Sequence, residues 1–307
     1  MIGKNLNYRI NRMASLKKKW NLKFKHPLIL EYKIPKYLNK KFQIFLKSYI
    51  SKAFNINYQE NDNYFLKKIE KKKSYRKNVT PNGAVVPKRE YNLEYNLLLK
   101  TWCEIIKEMT NVAPKELRFF RMTPNIRIKF GKDLKDNLNR GLNTSHAHSD
   151  AWVEGPWGMN CFAPIFGDYK NNNLLFYEPK QFDEKYLVRS ESYLKMKWVM
   201  DHYKKIKFLP KPGNIYISDY AMIHNTNRNR NSKIRISIDS TVFVDKYNNP
   251  PLSRIKEYRK FIPELGFDEI VDSGQFENEK YSEKKNIFSH YTSKSINIIK
   301  LLNKIKL

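Results

Sequence analysis

The chain has 307 residues, 59 basic against 30 acidic side chains, and a formal net charge of +29. Its hydrophobic fraction of 41% and aromatic fraction of 14% exclude a disordered chain, and its longest apolar runs are far too short for a transmembrane helix. Two cysteines, Cys103 and Cys161, sit in apolar surroundings and exclude a disulfide framework.

Buried thiols point to a reducing, cytoplasmic compartment, and the N-terminus lacks the apolar stretch and cleavage site of a secretory signal. A charge of +29 asks for an anionic partner, whether nucleic acid, a membrane surface or acidic metabolites. Only 14 of the basic residues are Arg and 45 are Lys, in a chain rich in Asn, Ile and Tyr, as an AT-rich genome writes irrespective of function. No zinc-finger, basic-zipper or RNA-recognition pattern accompanies the charge, which argues against nucleic acid as the main partner.

In chain order, residues 1–40 are basic, and Pro27 and Pro35 interrupt any long helix. Residues 41–54 show helical spacing through Phe42, Phe45, Ile50 and Phe54. The Lys-rich run 67–73 and the segment containing Pro81, Gly83 and Pro87 read as exposed loop. Residues 91–112 form the strongest helix, with Leu97, Trp102, Ile105, Ile106 and Met109 on one stripe, ended by Pro114. From about residue 117 the period changes to two. Segments 118–130, 146–153, 159–166, 173–178, 214–220 and 233–244 read as short strands. Residues 180–210 read as an insertion with helical spacing. Residues 253–262 and 282–306 read as helices, the last an amphipathic Lys-bearing tail suited to the core, a second subunit or a membrane surface. The expected organisation is an N-terminal helical extension (1–116), a β core (117–252) and a helical tail (253–307), the core being a sandwich or barrel.

Chemistry concentrates at His-Ala-His-Ser-Asp, residues 146–150. In a strand, His148 and Asp150 point to the same side, and His224 is placed to complete a set of two imidazoles and one carboxylate. That ligand set, with open positions, suits non-haem Fe(II) oxygenases. Lys211-Pro212-Gly213 forms a turn, Pro supplying its fixed φ and Gly tolerating a positive one. A strand follows, then His224 and, eleven residues later, Arg235. Arg235, Ser237, Asp239 and Thr241 share one face of their strand, and Ile234, Ile236, Ile238 and Val242 mark the other. A polar row opening with Arg is costly inside a barrel unless it meets a ligand, and a guanidinium matches a carboxylate in two parallel hydrogen bonds.

His148-x-Asp150, Pro212-Gly213, His224 and the Arg235-x-Ser237 pair, in that order, resemble the Fe(II)/2-oxoglutarate-dependent dioxygenase superfamily, and within it the branch similar to phytanoyl-CoA dioxygenase. The resemblance covers roughly residues 117–245. It implies a double-stranded β-helix (a jelly roll of cupin-like type) with helical extensions. It also implies Fe(II) held by His148, Asp150 and His224, and the cosubstrates 2-oxoglutarate and O2. Arg235 and Ser237 would bind the far carboxylate of 2-oxoglutarate, with Arg127 and Asn160 as further contacts on neighbouring strands. The superfamily's nucleic-acid dealkylases carry a second Arg six residues after the first, where this chain has Thr241.

His146 admits a second reading. His146-x-His148 with Glu154 approximates the first metal motif of cupins, although His224 lies too far beyond Gly213 for their second motif. Under the dioxygenase reading His146 faces the pocket as a substrate contact, and Trp152, Trp157, Tyr177 and Tyr220 line it. The expected activity is oxidation, by preference hydroxylation, of a small metabolite, sugar-derived or anionic. The alternatives are a cupin-type metalloenzyme without 2-oxoglutarate and a non-catalytic basic binding protein on the same scaffold. Oligomeric state is not legible in the sequence.

Overall fold

A computed structural model describes residues 5–72, 83–85, 92–110, 119–121, 124–131, 146–243 and 258–260. Helix α1 (Leu6–Lys19) opens the chain, its first turn capped by Asn5 Oδ1 accepting from the Tyr8 N–H at 2.8 Å. A hairpin follows, β1 (Lys23–His26) and β2 (Ile29–Lys33). Helices α2 (Lys36–Phe54), α3 (Asp62–Lys71) and α4 (Asn92–Thr110) come next. Helix α2 extends the helix expected over 41–54 back to Lys36, with Pro35 at its N-cap.

Strands β3 (Phe119–Arg121) and β4 (Asn125–Lys129) precede the one-turn helix α5 (Ala151–Glu154). Then come β5 (Met159–Gly167), β6 (Asn172–Pro179), β7 (Tyr203–Lys205), β8 (Asn214–Asp219), β9 (Ile223–Arg228), β10 (Arg235–Phe243) and β11 (Tyr258–Lys260). The strands form two antiparallel sheets. The larger runs β1-β2-β8-β5-β10-β3-β11, with β4 also paired to β10; the smaller runs β7-β6-β9. From β5 onward the chain alternates between them: β5 in the large sheet, β6 and β7 in the small, β8 large, β9 small, β10 large.

The alternation read from the sequence sets the two faces of the large sheet. Ile236 and Ile238 of β10, with Ile126 and Ile128 of β4, belong to one apolar core together with α2, α3 and α4. There Phe42 meets Trp102 at 5.9 Å between ring centroids, and Phe65 meets Phe166 edge-on at 5.9 Å. The intervening residues Arg235, Ser237, Asp239 and Thr241 face a cavity instead. Gly213 has φ +82°, as the turn before β8 requires.

Several expectations are corrected. The hairpin β1–β2 joins the large sheet through β8, so the first 40 residues contribute strands as well as helix. The Lys-rich run at 67–73 is largely helix α3; Phe65 and Ile69, one turn apart, are buried, and the lysines occupy its solvated face. Residues 258–260 are strand, not helix, pairing with β3. Residues 146–153 are not a strand: His148 makes a single bridge and Ala151–Glu154 turn into α5. The insertion holds two 3-10 helices, Glu184–Leu187 and Leu194–His202. Tyr193 at the N-cap of the second, and Met196 and Val199 within it, are buried at the three-residue period of that helix. The predicted helix at 282–306 lies outside the described residues. No helix among the described residues is long and apolar enough to cross a membrane, and Cys103 and Cys161 are free and buried.

Candidate metal centre

His148 and His224 are brought together by backbone pairing. Each donates its N–H to the other's carbonyl, at 3.0 and 2.9 Å, so a loop residue is locked opposite the second residue of β9. Their rings lie 4.4 Å apart between centroids. Asp150 reaches the pair because the chain turns after Ser149. The Ser149 hydroxyl donates to the Tyr220 carbonyl and accepts from the Ala151 N–H, and the Asp150 carbonyl accepts from the Val153 and Glu154 N–H groups of α5. Asp150 Oδ1 stands 3.7 Å from His148 Nε2, and Oδ2 stands 3.9 Å from His224 Nε2. One ligand atom from each of the three lies within 4.8 Å of the others. Metal–ligand bonds of ~2.1 Å put neighbouring ligand atoms about 3 Å apart, so an inward movement of ~1 Å closes the set on a divalent ion.

The surroundings fix which atoms are offered. His148 Nδ1 donates to the His146 carbonyl at 2.7 Å, which leaves the Nε2 lone pair for a metal. Tyr193 stacks on the His148 ring at 4.3 Å and 12°. Asn160 Nδ2 donates to Asp150 Oδ2 at 2.6 Å and steers the carboxylate. Burial, with the neighbouring His224, lowers the His148 pKa to about 3, and burial lowers His224 to about 4. Burial raises Asp150 to about 6, against the opposing pull of His148 and Asn160. At neutral pH both imidazoles are neutral and the carboxyl is ionised, the states a metal needs.

The three side chains line a cavity of about 200 Å³ between the two sheets. Arg235 is 1% exposed and Ser237 fully buried. Arg235 Nε and Nη1 and Ser237 Oγ have no hydrogen-bond partner among the described residues. Burial lowers the Arg235 pKa to about 9, which leaves the guanidinium charged at neutral pH. A buried guanidinium with unmatched donors is costly unless an anion meets it. This is the observation on which a carboxylate ligand fits the cavity. Arg127 also lines it, with Nε and Nη2 on the two oxygens of Asp239 at 2.9 and 3.3 Å and Asn125 Nδ2 on Asp239 at 2.9 Å. Burial opposes its charge, but the Asp239 pair outweighs that and raises its pKa.

Two predicted contacts are displaced. The His146 side chain is exposed and absent from the cavity wall, because the bridge at His148 turns it outward; its contribution is the carbonyl that orients His148. Trp152 is fully buried in a satellite core with its indole N–H on the Tyr186 carbonyl at 2.6 Å, so it does not reach the cavity. Trp157 instead packs on the Arg9 guanidinium at 4.6 Å, Tyr177 donates to Asn225, and the Tyr220 hydroxyl lies between Glu154 and Thr241. The aromatic rings on the cavity wall are Phe162 and Tyr193. Lys129, Glu154 and Tyr193 are wall residues that sequence reasoning did not assign as contacts under the dioxygenase reading. Lys129 had a readable signal, since it follows Arg127 by two in a strand.

No family model and no curated protein matches the sequence. Among solved structures, the chain is similar to the non-haem alpha-ketoglutarate-dependent epimerase SnoN from nogalamycin biosynthesis, at 7% identity and TM-score 0.42 over 94% of this chain and 96% of that one. It is also similar to an N-substituted L-amino acid dioxygenase from Burkholderia ambifaria AMMD, at 10% identity and TM-score 0.39 over 82% and 91%. AviO1 from Streptomyces viridochromogenes Tue57 gives 10% identity and TM-score 0.39 over 78% and 97%. The geometry of the site itself carries the functional reading below.

Proposed function

We propose that this protein is a mononuclear non-haem Fe(II)- and 2-oxoglutarate-dependent oxygenase acting on a small polar metabolite, on a double-stranded β-helix. The observation that carries the reading is the joint presence, on one cavity wall, of the His148–Asp150–His224 ligand set and the buried, unmatched donors of Arg235 and Ser237. The alternation of β5 to β10 between two antiparallel sheets supports the β-helix. The order His148-x-Asp150, Pro212-Gly213, His224, Arg235 supports the phytanoyl-CoA dioxygenase-like branch.

In this reading, His148 and His224 each present a neutral imidazole nitrogen and Asp150 a carboxylate oriented by Asn160. Arg235 and Ser237 hold the distant carboxylate of 2-oxoglutarate. When bound, the iron and 2-oxoglutarate would supply oxidation of a substrate carbon with O2 as the oxidant, one oxygen atom going to the succinate formed by decarboxylation of the cosubstrate and the other to the substrate or to water. Tyr193 screens the His148 ring from water. The hydrogen-bonding wall of Asn125, Glu154, Asp239 and Thr241 supports a hydroxylated or charged substrate, sugar-derived ones included. A cupin-type metalloenzyme using His146 is disfavoured by that side chain's exposure.

The test is metal content. Wild-type protein loaded with Fe(II) under anaerobic conditions should retain about one equivalent after desalting, and Asp150→Ala should lose it while keeping its circular dichroism spectrum. Retention by the folded variant would count against the ligand set.

A further inference from the structure

We propose that Tyr220 is a positioning residue for the metal centre, holding the turn that carries Asp150 at both ends and tying it to the strand that carries His224. This deepens the reading above and rests on it. His224 belongs to β9, which pairs with β6 through a regular ladder. Asp150 is a turn residue, so its place depends on what holds segment 149–154 against the sheets. Asn160 steers the carboxylate itself, and Tyr220 meets the segment on either side of it. At the near end, the Tyr220 carbonyl accepts from the Ser149 hydroxyl at 2.5 Å. At the far end, the Tyr220 hydroxyl donates to Glu154, the last residue of α5.

The side chain is itself firmly placed. Tyr220 is 2% exposed, and a buried phenol needs a partner for its O–H. The hydroxyl also lies 3.0 Å from Thr241 Oγ1 of β10, and Thr241 is the register partner of Asn160. Both supports of the Asp150 turn therefore rest on one level of the large sheet. Gly158 closes the loop after α5 over the ring, since a Cβ there would stand 2.3 Å from Tyr220 Cε2. In the chain, Tyr220 occupies the turn between β8 and β9. There the Met222 N–H donates to the Asp219 carbonyl at 2.9 Å and the Ala221 N–H to Asp219 Oδ1 at 2.7 Å. Arg9 of α1 donates to Asp219 at 2.7 Å and, through its other terminal nitrogen, to the Pro156 carbonyl at 2.7 Å. Helix α1 thus holds both the residue before Tyr220 and the loop that follows α5. His224 comes only four residues after Tyr220, so this one turn couples the carboxylate ligand to an imidazole ligand.

The experiment titrates full-length protein with Fe(II) without oxygen, against a chelating dye, and with Co(II) in place of Fe(II) for its visible d–d bands. Tyr220→Phe keeps the ring and removes the hydroxyl. It should weaken Fe(II) binding about tenfold or more and shift the Co(II) bands, with the 2-oxoglutarate affinity of the iron-saturated protein within about twofold. Glu154→Leu removes the same bond from the other side and serves if Tyr220→Phe does not fold; it should lose at least as much. Glu154→Gln retains an acceptor and should bind Fe(II) within about threefold of wild type. Tyr216→Phe is the control: it removes the hydroxyl of another buried tyrosine, bonded to the Lys211 N–H, and should leave Fe(II) affinity and the Co(II) bands unchanged. A folded Tyr220→Phe variant with wild-type Fe(II) affinity and unchanged Co(II) bands would overturn the positioning role while leaving the oxygenase reading intact. Equal losses in Tyr220→Phe and Tyr216→Phe would overturn it as well, since the hydroxyl would then serve stability alone. Wild-type protein that binds neither Fe(II) nor Co(II) would overturn both.

Discussion

Replacing Arg235 with Met separates stability from binding. In the empty protein the guanidinium is buried against Phe162, its carbon 5.4 Å from the ring centroid, with two of its nitrogens unmatched among the described residues. Each unmatched buried donor costs about 1–3 kcal/mol, and replacing buried charge by an apolar side chain of similar volume is neutral to stabilising by roughly 1–4 kcal/mol. The lost contact with Phe162 and attraction to Asp239 offset part of that gain. Arg235→Met should therefore stabilise the metal-free, ligand-free protein by about 1–3 kcal/mol. At roughly 2–4 °C per kcal/mol for a chain near this size, scanning calorimetry should read a melting temperature several degrees higher. The same change should weaken 2-oxoglutarate binding to the Fe(II)-loaded protein by about 2–5 kcal/mol, roughly 30-fold to several thousand-fold. A variant that is destabilised yet binds 2-oxoglutarate normally would refute the reasoning, because Arg235 would then be a structural cation.

Three further outcomes follow from the same geometry. Asn160→Leu removes the hydrogen bond that steers Asp150 and should weaken Fe(II) binding about 10- to 100-fold without unfolding the protein, read by competition with a chelating dye. Metal uptake should depend on pH through Asp150: its raised value of about 6 means the carboxyl gains a proton as pH falls through that point, while His148 and His224, at about 3 and 4, stay neutral. Affinity should fall about tenfold per pH unit below 6, and a midpoint near 4 would contradict the assignment. The third concerns Asp219, whose carboxylate holds Arg9 at 2.7 Å and Arg12 at 3.3 Å with all three side chains buried. Asp219→Ala removes the carboxylate from two buried guanidiniums that keep carbonyl contacts to Pro156 and Trp157, and should cost about 3–5 kcal/mol in urea denaturation; a loss under 1 kcal/mol would contradict the burial of the ion pair.

The same pH logic bears on the metal-free fold. The depressed values of His148 and His224 stabilise it fully above the unfolded histidine value of about 6.5, a contribution lost as pH falls toward 4 and then 3. Asp150 works the other way, since its raised value favours the fold below the unfolded carboxyl value and that contribution is lost as pH rises through about 6.

What could be read from the sequence was whatever rested on a local rule. The Pro212-Gly213 turn, the two faces of β10 and the apolar stripe of α4 each follow from backbone freedom or from side-chain period, and the structure has them. The strand pair β1–β2 escaped because every β1 residue from Lys23 to Lys25 is exposed and His26 only partly buried, which removes the alternation that marks a strand. Helix α3 escaped because lysines on a solvated face look like loop. The metal ligands were found for an incomplete reason: His148 and Asp150 converge through a turn and a helix start, not through strand alternation. His146 and Trp152 were misplaced by extending that alternation two residues each way. Tyr193 gave no local signal at all, since it reaches His148 from an insertion more than forty residues away.

The most direct measurement is an anaerobic titration of the purified protein with Fe(II) and then 2-oxoglutarate, followed by visible spectroscopy, with Arg235→Ala as control. A metal-to-ligand charge-transfer band that grows to one equivalent in the wild type and weakens in the variant is the predicted result. Iron that binds without producing the band, or no iron bound at all, would contradict the assignment of this cavity to 2-oxoglutarate-dependent oxidation.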